Sequence, residues 1–101
     1  NAMKRGGNIS VMVCDKSTLL RYRSFDNLLD ARKYAYNCLY TTKYTERKGQ
    51  YAEVRDLGEL VGKVKFHPSD NRVYLWETFI KDGTKRVFIL KRNGKLGKRL
   101  I

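Results

Sequence analysis

The chain has 101 residues, 42% of them hydrophobic and 12% aromatic, and a net charge of +12. That length is enough for one small domain, and the composition fits a folded protein and not a disordered tail. No apolar run approaches the roughly 18 residues of a membrane helix, and one His with two widely spaced Cys offers no zinc ligand set.

Asn1-Ala2 ahead of Met3 has the look of an expression remnant. Residues 1–8 are polar and contain glycine, so disorder is expected there and a single domain over 9–101. Ile9 to Cys14 alternates, with Ile9, Val11 and Val13 on one face, and predicts a strand. Asp15-Lys16-Ser17 is a turn into a second strand, Thr18 to Arg23, where Leu20 and Tyr22 oppose Leu19, Arg21 and Arg23. The period then changes. Leu28, Ala31, Ala35, Cys38 and Leu39 share a helical face, while Asp30, Lys33 and Asn37 oppose it. Asp26 or Asn27 can cap this helix, predicted over about 26–40, and Asp30 follows Asn27 at capping-box spacing. Thr41 to Gln50 has no sustained period and predicts a basic loop.

Strands and turns alternate from there to the end. Tyr51–Arg55, Glu59–Phe66, Arg72–Ile80, Lys85–Lys91 and Lys95–Ile101 read as strands. The turns fall at Asp56-Leu57-Gly58, His67 to Asn71, Lys81 to Thr84 and Asn93-Gly94, the last being the strongest hairpin signal. Arg72–Ile80 is apolar on both faces, which predicts a central strand. The order ββα-ββββ(β) gives an α+β domain, one helix on a mostly antiparallel sheet, because the strand links after the helix are short. The stretch RSFDNLLDARKYAYN, residues 23–37, resembles the strand-to-helix junction of AP2-type and integrase arm-binding domains. The likeness covers that junction alone and assigns no residue a role.

The charge is uneven along the chain. Residues 1–50 carry net +6, residues 51–80 net −1 and residues 81–101 net +7. A large single-sign excess points to a polyanionic partner, DNA or RNA first and an anionic membrane next, and an acidic protein partner also explains the charge. Alternation on the last two strands puts Val87, Phe88, Ile89 and Leu90 into packing, and gathers the cations at the Asn93-Gly94 tip and the terminus. The expected phosphate contacts are therefore Arg86, Lys91, Arg92, Lys95, Lys98 and Arg99, with Arg21, Arg23, Arg47 and Lys48 as a second patch. This predicts a small non-enzymatic nucleic-acid-binding or accessory protein, with no catalytic residue, metal or cofactor and no membrane partner. Cys14 and Cys38 read as reduced, buried small hydrophobes, which fits a cytoplasmic setting.

Two other functions compete. An open meander leaves a sheet edge, so the chain suits a protein-interaction or assembly module, as a monomer or an edge-paired homodimer, with its charge serving solubility or an acidic protein. A metal-dependent nuclease on Asp56, Glu59 and Lys63 is the weaker alternative, because those residues also serve as turn punctuation and cross-strand partners. Tyr74 and Trp76 beside Arg86 and Phe88 can make a base-stacking face, but Trp is more often core, which is the favoured expectation here.

Overall fold

The computed structural model describes residues 7–41, 48–67, 70–79 and 84–101. Seven strands and one helix follow in the order β1 (Ile9–Asp15), β2 (Thr18–Phe25), α1 (Leu28–Tyr40), β3 (Gln50–Asp56), β4 (Glu59–His67), β5 (Asp70–Phe79), β6 (Lys85–Leu90) and β7 (Leu96–Arg99). They form one antiparallel sheet in the spatial order β2-β1-β3-β4-β5-β6-β7. The domain is α+β, with the helix packed on one face of an open sheet.

The helix begins at Leu28, inside the predicted range of 26–40, because Asn27 is the cap: its side chain accepts from the Asp30 amide at 2.9 Å. Asp30 answers by accepting from the Asn27 side-chain amide at 3.2 Å. Ala31, Ala35 and Leu39 are buried on the sheet. The two alanines let the backbone of α1 approach β1 and β3, where Val11, Val13, Ala52 and Val54 complete the core. β3 pairs with β1, so β1 lies between β2 and β3, and α1 bridges two strands that are parallel to each other.

β5 is an interior strand between β4 and β6, and Tyr74, Leu75, Trp76 and Glu77 are buried on its two faces. Tyr74 and Trp76 are each 1% exposed and belong to the core beneath the helix, so the suggested base-stacking face is closed. The hairpin of β3 and β4 closes on Leu57-Gly58 with φ of 54° and 86°. Two consecutive positive φ values make a type I′ turn, whose twist matches that of the strands.

The register slips in four of the six strand pairs, and two of these slips move residues at the sheet edges. On β2 the register slips so that Val13 faces Arg21 but Cys14 faces Leu19, a bulge at Leu20. Leu19 therefore turns to the side of Tyr22 and leaves that of Arg21 and Arg23, contrary to the alternation read from the sequence. A second slip lies between Phe88 and Leu90, which pair with Arg99 and Leu96. It brings Leu96 and Arg99 to one side of β7, where plain alternation separates them. At the start of the chain, Gly7 and Asn8 are part of the fold, with Asn8 O accepting from Leu57 N at 3.0 Å. Residues 1–6, the rest of the stretch expected to be disordered, lie outside the described residues, as do Arg47, Tyr44 and Ile80.

Candidate nucleic-acid interface

Which face a cation occupies follows from strand register. Arg21 and Arg23 stand opposite Val13 and Val11, whose side chains lie under the helix, so both arginines are on the helix side of the sheet. Arg86 is opposite Thr78, two residues from Trp76, and Arg99 is opposite Phe88; these too register on the helix side. The other face of the sheet has a different character. Tyr22, Met12, Glu53, Lys63, Glu77 and Val87 form one cross-strand row there. Glu53 pairs with Arg55 at 3.0 Å. Glu77, 6% exposed, forms ion pairs with Lys65 at 3.7 Å and Lys85 at 3.6 Å. Two flanking ammonium groups make the burial of this carboxylate tolerable.

The helix carries a row of aromatic rings on each flank, and arginines rest on them. On the β2 flank the Arg23 guanidinium lies 5.3 Å from the Phe25 ring and 5.4 Å from the Tyr34 ring. Burial and then Cys38 raise the Tyr34 phenol above its ordinary value, while Arg21 pulls it back. On the opposite flank Tyr36 packs on Tyr74 with 4.1 Å between ring centres. Tyr40 stacks beyond it, and Arg92 lies 5.2 Å from the Tyr40 ring. Arg32 sits between, over Trp76, where burial lowers its guanidinium below the ordinary value.

The β6–β7 turn is not a free finger. Gly94 is buried, and a Cβ there would stand 2.6 Å from the Leu29 carbonyl oxygen and 3.0 Å from Lys33 Cγ. The turn is closed by Gly94 N donating to Lys91 O at 2.9 Å, and Lys95 N donates to the Asn93 side chain at 3.0 Å. Only Gly94 in this turn takes positive φ, 87°, so the turn runs Lys91 to Gly94 with Arg92-Asn93 at its centre and a left-handed glycine after them, and Asn93-Gly94 is not a type I′ pair. The physical cause of the docking is sheet twist. Neighbouring strands rotate by about 20–25°, and the turn lies four to five strand steps from β1, so the rotation accumulated along the sheet brings it onto α1.

Lys91, Arg92 and Lys95 are exposed above the outer flank of α1. Lys98 is exposed on β7, and Arg99 donates to the Ile101 main-chain oxygen at 2.7 Å. Lys48 is exposed in the turn before β3, beside Gly49, whose carbonyl accepts from Lys16 N. Among the described residues, none of Arg21, Arg23, Arg86, Lys91, Arg92, Lys95, Lys98 or Arg99 is paired with a side-chain carboxylate. Sequence reading missed the ring partners Tyr34 and Tyr40. Their signal was present as a Tyr at each edge of the helical apolar stripe, but alternation cannot say which arginine arrives above a ring. Asp56 and Glu59 face each other across the Leu57-Gly58 turn.

Comparison with protein-family models, with curated proteins and with solved structures found no match.

Proposed function

We propose that this protein binds the phosphate backbone of a nucleic acid through the helix side of its sheet, without enzymatic chemistry of its own. One observation carries the proposal: Glu53 and Glu77 form ion pairs on the open face, and among the described residues Arg21, Arg23, Arg86, Lys91, Arg92 and Lys95 on the helix side have no side-chain carboxylate partner. Lysines and arginines that neutralise phosphates release the counterions condensed on the nucleic acid, which is the main source of sequence-independent affinity. Lys91, Arg92 and Lys95 on the docked turn are the central contacts; Arg21, Arg23, Arg86 and Arg99 extend the surface, with Lys98 and Lys48 at its margins. Docking of Gly94 on the helix holds the tip in place and lowers the entropic cost of binding. Cys14 and Cys38 are thiols and not disulfide-bonded, which agrees with action in a reducing cytoplasm.

The test is fluorescence anisotropy with a mixed-sequence DNA duplex and an RNA of equal length, over a series of salt concentrations. Affinity is expected to fall with salt by about 0.9 in log–log slope per B-DNA phosphate contacted. Combined Lys91→Glu, Arg92→Glu and Lys95→Glu substitution should remove most binding, whereas Arg55→Gln on the open face should not. Absence of binding to both polymers at low salt overturns the proposal.

A further inference from the structure

The two edges of the sheet are built differently. β7 has four residues, LGKR, and is short and charged, as protected edges are. β2 has eight residues, six of them exposed, and among the described residues pairs with β1 alone. It exposes Leu19 by 51%, Leu20 by 47% and Tyr22 by 60%. Beyond the bulge at Leu20, Arg21 to Phe25 run in unbroken register against Val13 to Ile9, so their outward backbone groups are aligned for another strand.

We propose that β2 takes up an extended segment of an acidic protein as an eighth strand. Register decides the chemistry of that segment. Arg21 and Arg23 point to one face of β2 and Tyr22 to the other. A strand paired with β2 places alternate side chains within about 5 Å of these residues. Carboxylates at every second position would meet the two arginines, and apolar residues between them would meet Tyr22 and Leu19. Stacking on Phe25 and Tyr34 already orients the Arg23 guanidinium. A second copy of this chain fits worse. Antiparallel self-pairing centred on Arg21, Tyr22 or Arg23 puts an arginine opposite an arginine, between molecules of net charge +12 each.

The inference does not rest on nucleic-acid binding, and its test separates the two. A fluorescein-labelled peptide of four Glu-Val repeats is titrated with the full chain, alongside a peptide of the same composition with four Val followed by four Glu. The alternating peptide should bind at least about tenfold more tightly, because only it matches both faces of β2. Amide shifts in 15N spectra should centre on residues 18–25. Joint Arg21→Glu and Arg23→Glu substitution should exchange the preference for one towards Lys-Val repeats. The Lys91→Glu, Arg92→Glu and Lys95→Glu variant should keep peptide binding after losing nucleic acid. Equal affinity for both peptides, shifts centred on residues 91–95, or concentration-dependent self-association through β2 would each overturn the proposal.

Discussion

The Arg32 guanidinium lies 4.7 Å from the centre of the Trp76 ring, and that ring occupies the space a side chain on Gly62 would need. The helix, β5 and its neighbour β4 therefore meet at one indole. Trp76 is 1% exposed, and its indole N–H has no hydrogen-bond partner among the described residues. Packing and the cation above the ring are what hold it.

Gly62 is accordingly intolerant of the smallest change. A Cβ there would stand 2.2 Å from Trp76 Cζ2. Gly62→Ala should lower unfolding free energy by about 2–3 kcal/mol in urea titrations, a strong case of overpacking. The loss should shrink in a Trp76→Leu background, where the ring is gone, and a double-mutant cycle reads the difference. Arg32→Met keeps most of the stem and should cost about 1 kcal/mol, the worth of the cation–ring contact.

Gly94 holds the tip to the helix. Its φ of 87° and the 2.6 Å approach to Leu29 O leave no room for a side chain. Gly94→Ala should destabilise by about 1–3 kcal/mol. It should also weaken nucleic-acid binding while leaving every cation present, because the tip no longer has a fixed position. Anisotropy titration of the variant at a temperature where it remains folded measures this.

Leu57 is 79% exposed and sits at φ 54°, a conformation that costs a branched apolar residue more than Asn. Leu57→Asn makes the turn Asn-Gly, the preferred pair for this geometry. It should raise the unfolding midpoint, with a gain of about 0.5–1 kcal/mol in thermal or denaturant melts.

Alkaline pH should unload the β1–β3 region. Burial first, then Cys14 and Glu53, raise the Tyr51 phenol above its ordinary value, and its hydroxyl donates to Lys16 O at 2.8 Å. The folded state thus holds this proton more tightly than the unfolded state does. Its contribution is full below the unfolded phenol range near 10 and is lost as pH climbs through the raised value. Stability measured from about pH 9 upward should fall, and the fall should be shallower in Tyr51→Phe.

Much of the fold is legible because burial leaves a period. Ile9, Val11 and Val13 alternate at period two and are buried; Ala31, Ala35 and Leu39 recur at helical spacing and are buried. The Asn27 cap follows from one local contact with Asp30. The bulges at Leu20 and in β7 are not legible, since an inserted residue shifts the register without changing composition. Nor is the burial of Glu77, which depends on lysines from β4 and β6 arriving on either side.

The candidate interface divides in the same way. Its cations, their clustering near Asn93-Gly94 and the neutral middle of the chain are properties of the sequence alone, as is the α+β class. Which cations face the helix, which carboxylates neutralise others, and the docking of Gly94 on Leu29 and Lys33 are properties of the assembled sheet. Twist accumulates over many strands, and pairing joins residues far apart in the chain. Local patterning determines what each strand offers to a face; the sum of rotations and registers determines what meets it there.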